Sequence, residues 1–315
     1  MTRSTIARWS KPELIVVATN LFEGYRLMLH AIYQASLSNA KVLLVHVIPP
    51  AHTHTQTSNG SPLSLPSPEV PTVKTKLEEE AEEFWRAGIL CEPVILRGFP
   101  GEQIPIFVRS QSADRVIVAA RNTTGVARLI GPSVAQELMS ALDVPVCVIG
   151  RRARPGAAGN TPLGRILLAT SFHRGDSLLV NFACAVAEFN HSPITLLHVL
   201  DTHRINKQQR ESALITAQRN LFALTHNRMS CGSQPLLLVR EGEPAKTILS
   251  EAGSMPQDLV IIGSANPSTG SSLLSESITH RLVSEAQCPV LIFNPEAVLE
   301  APYDAVDRET RLAHS

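Results

Sequence analysis

The chain has 315 residues, 44% of them hydrophobic and 18% charged, which is enough apolar material for packed cores in about two domains of roughly 100–200 residues each. Lys+Arg and Asp+Glu each number 28, and aromatic residues make up only 4%. That balance argues against a general electrostatic grip on nucleic acid or an anionic membrane, and against a base-stacking surface. The N-terminal stretch from Met1 to Ser10 has basic residues but no apolar core of a leader, and no run approaches the ~18 apolar residues of a membrane span. Five cysteines (Cys91, Cys147, Cys184, Cys231, Cys288) are scattered without a C-x-x-C pair, as in reduced, buried thiols. The expectation is a cytoplasmic protein.

In chain order, the first apolar run, 14–20, reads as a strand and is followed by helical spacing over 23–38. A second strand is expected at 42–47. The polar, Pro/Ser/Thr-rich segment 51–72 is expected to be a mobile loop. A helix over 76–88 carries the acidic run Glu78–Glu83, read as a solvated face, and strand 93–98 comes next. Helix 101–111, strand 115–119, helix 133–142 and strand 144–149 complete a first unit, residues 1–150. Residues 151–162, rich in Arg, Gly, Ala and Pro, read as a linker.

The second unit, 163–294, repeats the first. Its strands are expected at 166–171, 194–199, 236–242, 259–263 and 288–293, with helices at 175–190, 206–226, 244–253 and 277–286; residues 295–315 form a tail. Strand one ends in Ala-Thr both times (Ala18-Thr19, Ala169-Thr170), and strand two ends in Leu-x-His-Val or Leu-His-Val around His46 and His198. The offset is 151 at the threonines and 152 at the histidines, then 144 at Gly98/Gly242, Ala119/Gly263 and Pro145/Pro289. A near-constant register over five matched elements indicates a tandem duplication. The strands are apolar throughout rather than alternating, as parallel strands covered on both faces should be. Strand–helix alternation with right-handed crossovers gives an α/β fold in each half.

These strand sequences, the Ala-Thr turn, the Leu-His-Val strand and the closing Cys-Pro-Val-Leu-Ile-Phe (288–293) resemble the universal stress protein (UspA-like) family in its tandem two-domain form, over about residues 11–150 and 162–294. The resemblance implies two tandem five-stranded parallel-sheet sandwiches, Rossmann-like and akin to the adenine-nucleotide alpha hydrolases. It further implies that the halves pair through their last strands, 144–149 with 288–293, as an intrachain pseudo-dimer, with a homodimer and an unknown protein partner as further expectations.

Some members of that family bind ATP. They use an Asp at the end of strand one and a G-x-x-G-(x)9-G-[S/T] loop after strand four, where glycine backbones and a helix N-terminus cradle phosphates. Carried onto this chain, the Asp position holds Asn20 in one half and Ser171 in the other. The loop positions hold Gly263, Asn266, Glu276 and Ser277 in the second half, and Ala119, Asn122, Pro132 and Ser133 in the first, with Gly131 available after a one-residue slip. Gly98 and Gly242, ending the third strands, match a family position beside the nucleotide. Glu276 opposes a phosphate electrostatically and Pro132 removes a backbone donor, although an acid and a proline are both ordinary at a helix start.

Arg121 and Arg128, and the hydroxyl-rich run Ser268–Ser272, are further anion candidates; His52 and His54 are a weak metal candidate; His46 and His198 read as hydrogen-bonded core histidines. Because no G-x-S-x-G, G-x-x-x-x-G-K-[S/T] or H-E-x-x-H motif occurs, the expected function is a non-enzymatic stress-response or regulatory binding protein with degenerate nucleotide sites and no required cofactor. The alternative is an ATP- or AMP-binding switch, or a weak ATPase.

Overall fold

A computed structural model describes residues 3–21, 24–50, 55–56, 62–63, 70–120, 134–154, 163–173, 175–202, 207–226, 234–254, 259–264 and 272–295. The first half begins with helix α1 (Arg3–Ser10) and runs β1 (Leu14–Ala18), α2 (Gly24–Ser38), β2 (Lys41–Ile48), the two-residue pair β3 (Thr55–Gln56) and β4 (Pro62–Leu63), α3 (Val70–Arg86), β5 (Cys91–Arg97), α4 (Pro100–Ser110), β6 (Arg115–Ala119), α5 (Val134–Ala141) and β7 (Val146–Ile149). The second half runs β8 (Ile166–Thr170), α6 (Asp176–Phe189), β9 (Ile194–Asp201), α7 (Arg210–His226), β10 (Leu236–Gly242), α8 (Pro244–Ser254), β11 (Leu259–Gly263), α9 (Ser272–Glu285) and β12 (Val290–Phe293).

All ten long strands lie in one sheet, in the order β10-β9-β8-β11-β12-β7-β6-β1-β2-β5. Each half is a five-stranded parallel unit in the order three-two-one-four-five, so the strand order reverses between the first and fourth strands. The two units meet through their last strands, which pair antiparallel: Val290 opposite Val148, Leu291 opposite Cys147, Ile292 opposite Val146. Every one of those side chains is at most 2% exposed. The expected pairing of the halves is thus a backbone ladder, and it leaves no free edge at the centre of the molecule. Gly150, just past β7, fits because a Cβ there would stand 2.3 Å from the carbonyl of Val283 in α9.

Helix α1 falls in a stretch to which the sequence assigns no element. It stops at Ser10 because Pro12 disfavours a helical residue before it. Trp9, 5% exposed, meets Phe293 edge-on at 5.8 Å, Phe293 stacks on Phe182 at 4.9 Å, and Lys11 lies over the Phe189 ring. The same helix is bound to the first half: Arg8 pairs with Asp114, and the buried Arg115 donates to the Trp9 carbonyl (2.9 Å) and to Gln34 Oε1 (3.1 Å). One short helix therefore bridges both halves.

The segment expected to be a linker begins as ordered structure. Arg26 on α2 donates to the carbonyls of Arg151 and Ala153, and the Arg154 amide donates to the Gln287 carbonyl (2.8 Å). His30, buried beneath this strap, hydrogen-bonds the Arg154 backbone, and burial pushes its pKa down to about 4. Residues 155–162, the tail from 296 onward and most of the segment expected to be a mobile loop at 51–72 lie outside the described residues. Within that loop β3 pairs antiparallel with β4, and α3 starts at Val70, earlier than expected. Cys91, Cys147 and Cys288 are buried and outside any disulfide, whereas Cys184 is disulfide-bonded, which corrects the expectation of reduced thiols at that position. No helix among the described residues is long and apolar enough to cross a membrane.

Candidate functional site

In an open parallel sheet the point where strand order reverses leaves a crevice at the carboxyl ends of the strands. Here that point lies between β1 and β6 in one half and between β8 and β11 in the other. Both first strands run into the same turn. A buried threonine, Thr19 or Thr170, accepts on its hydroxyl the amide of the residue two further on, Leu21 (3.0 Å) or Phe172 (3.4 Å). Those residues take left-handed backbone angles, φ 63° and 61°, which for a non-glycine residue costs on the order of 1 kcal/mol and survives only where neighbours enforce it. The turn leaves Asn20 and Ser171 exposed at the crevice.

Each half brings a different acid to its threonine. In the second, Asp176 at the start of α6 is 6% exposed, and its Oδ2 accepts the Thr170 hydroxyl (2.5 Å) and the amides of Ser171 (3.1 Å) and His173 (3.2 Å). In the first, where Tyr25 stands at the equivalent place, Glu80 comes from α3 and hydrogen-bonds Thr19. Burial raises the Glu80 carboxyl above its ordinary pKa, and its Oε2 is buried with no partner among the described residues. The acidic run at 78–83 is therefore not wholly a solvated face. Glu80 lies three residues after Leu77 and four before Phe84, both buried, which is the helical spacing that turns it inward.

The two strand-two histidines are alike. His46 Nδ1–H donates to the Thr19 carbonyl (3.0 Å) and His198 Nδ1–H to the Thr170 carbonyl (2.9 Å), since a carbonyl can only accept. Burial lowers both pKa values, so the rings are neutral near pH 7 with Nε2 as an acceptor. The expectation of hydrogen-bonded histidines holds, though both rings are only partly buried.

The remaining candidates scatter. Gly263 ends β11 next to β8, so it does share the crevice with Ser171. Gly98 follows β5 and Gly242 ends β10, the outermost strands, two strands from β1 and β8 and so about 10 Å away. Their backbones (φ 129° and 145°) and the proximity of Gln103 and Thr247 explain glycine there as a turn requirement. Ser277, expected at the start of its helix, lies one turn and more inside α9, which begins at Ser272. Only the first four amides of a helix are free for an anion, so the Ser277 amide is not one of them. Asn122, Gly131, Pro132, Ser133 and Asn266, with Arg121, Arg128, His52, His54 and the Glu276 side chain, lie outside what is described. Among the described residues no three His, Cys, Asp or Glu side chains cluster to hold a metal.

Sequence reasoning missed Asp176 and Glu80. The available signals were an acid in the first turn of a helix for one and the i, i+4 spacing to Phe84 for the other.

Comparison with known proteins agrees with this geometry. The family model described as the universal stress protein family matches residues 12–150 and again 162–294. Among solved structures, a universal stress protein from Archaeoglobus fulgidus is 15% identical with a TM-score of 0.66, over 91% of this chain and 98% of that one. A functionally unknown protein from Pseudomonas aeruginosa is 15% identical with a TM-score of 0.61, over 92% and 95%. No curated protein sequence matches the chain.

Proposed function

The chain belongs to the universal stress protein family, with one domain of it in each half, and from that premise we propose that it is a stress-response regulatory protein that acts by binding, without turnover, and whose two nucleotide positions are degenerate. The observation that carries this reading is the state of the strand-one ends. At the end of β8 the Thr170 hydroxyl and the Ser171 and His173 amides are already committed to the Asp176 carboxylate. At the loop after strand four, a phosphate brought within about 4 Å of the Glu276 charge would be opposed by about 4 kcal/mol at an effective dielectric of 20, close to a thousandfold in affinity. In the first half Asn20 replaces the family's Asp, and Glu80 rather than a ligand takes the threonine hydroxyl. The interior position of Ser277 in α9 and the acid at Glu276 support the same view of the second loop.

On this reading the working ligand is a protein partner, recognised by the fused pair of domains as a unit. A cytoplasmic location fits the reduced thiols at Cys91, Cys147 and Cys288.

Thermal unfolding with and without 1 mM Mg-ATP, a concentration about a hundredfold above a 10 μM Kd, tests the proposal. A site of that affinity would add about 2.7 kcal/mol and raise Tm by several degrees. The expected shift is below about 1 °C. A shift of several degrees, together with magnesium-dependent turnover lost in Gly263→Val, would make the protein a nucleotide switch or ATPase instead.

A further inference from the structure

We propose that the second half carries a binding pocket between β9 and α7 for an uncharged, planar small molecule of one or two rings that bears an N–H or O–H donor. This site is one strand outward from the β8/β11 crevice and does not depend on whether that crevice binds a nucleotide. A cavity of about 410 Å³ opens there, lined by Phe172, His198, Leu200, Ala213, Ala217 and Asn220 among others. Ligand pockets begin at about 300 Å³, and benzene fits one of about 150 Å³, so the space admits two fused rings.

The lining selects the chemistry. Phe172 and His198 stack on each other at 4.0 Å, 28° from parallel, and put an aromatic pair in the wall. Leu200 and the small Ala213 and Ala217 complete an open, largely apolar groove, with hydroxyl and amide side chains around it. Among the described residues no lining side chain carries a formal charge at neutral pH, which favours an uncharged ligand. His198 has already given its Nδ1 proton to the Thr170 carbonyl, which leaves Nε2 as an acceptor for a donor on the ligand. The Asn220 amide makes no hydrogen bond among the described residues and is exposed beside it.

The first half provides a contrast in packing. It has the same turn, with Leu21 at φ 63° where Phe172 stands at 61°, and the same histidine-to-carbonyl bond. Helices α3 and α7 are both 17 residues long, and aligned end to end they place Val73, Leu77 and Glu80 opposite Ala213, Ala217 and Asn220. Val73 and Leu77 are at most 2% exposed. The two alanines carry five carbons fewer than Val73 and Leu77, and both line the cavity.

The pair of halves supplies an internal control. Indole is titrated into the full-length protein while the histidine ring signals are followed by nuclear magnetic resonance. The expected result is a saturable shift at His198 and none at His46. Ala213→Val with Ala217→Leu transplants the packing of the first half and should weaken binding by at least about tenfold, the scale of a lost or blocked apolar subsite. Asn220→Glu, at an exposed position, adds the acid of the first half and should weaken it as well. The proposal is overturned if His198 does not move up to the solubility limit of indole, if His46 moves equally, or if both variants bind indole as the native protein does.

Discussion

Asp176 and Glu80 reach equivalent threonines from different helices, one from the start of α6 and the other from the middle of α3. A duplicated chain has kept the need at that position and changed the residue that meets it. Asp176→Ala would leave the Thr170 hydroxyl and two amides without their acceptor; the expected loss is about 2–4 kcal/mol of unfolding free energy, read from denaturant midpoints. His30 gives the residue scale its pH dependence. Its folded pKa of about 4 lies below the ordinary 6.5, so between those values the unfolded chain binds more protons than the folded one. The contribution of His30 is complete above pH 6.5 and is lost as pH falls toward 4, an expected loss of about 3 kcal/mol between pH 7 and pH 4. His30→Leu should flatten that part of the stability–pH curve, and an equally steep curve in the variant would assign the effect to other groups. Neither acid was legible in the sequence as a partner of the threonine. The contact runs between residues six apart across a turn in one half and 61 apart in the other, and nothing local to Thr19 announces Glu80.

At the scale of elements, the ten strands were legible because parallel, doubly covered strands write themselves as unbroken apolar runs, and because each appears twice at a fixed offset. Helices were legible to within a few residues at most ends, with α3 and α9 starting earlier than their apolar spacing suggested. Those shifts mattered, since the earlier start of α9 moves Ser277 away from the free amides. Helix α1 was not legible. At eight residues it has too few turns for a pattern, and its stability comes from Trp9, Arg8 and the adjoining Lys11 meeting groups more than a hundred residues away. It follows that Trp9→Ala should cost about 3–5 kcal/mol, as for other buried aromatic residues. It should also disturb Phe293 in the second half, checked by hydrogen exchange of β12. Gly150→Ala drives a Cβ onto the Val283 carbonyl, a backbone atom that cannot rotate away. A loss of about 1–3 kcal/mol is expected, with protection falling in the last turn of α9.

The molecule as a whole is one sheet made from two units, and its seam is the β7–β12 ladder. Val290 is fully buried there, so Val290→Asp places an unpaired charge in the seam at a cost of several kcal/mol. The expected outcome is that a single thermal transition separates into two, one for each half; a single unchanged transition would mean that the seam does not couple them. The sequence pointed to this seam through family resemblance, since a short apolar last strand does not by itself say what lies on its open side. It could not show that the strand-one ends are occupied by the protein's own acids, and that occupancy is what makes a binding protein with degenerate nucleotide sites the central claim. The measurement that tests it most directly is mass spectrometry and ultraviolet absorbance of the supernatant released by heat from protein purified without added nucleotide. The account predicts no adenine nucleotide above trace. An adenine nucleotide released at one equivalent or more per chain would contradict it, and would require Asp176 or Glu80 to leave its threonine when the ligand binds.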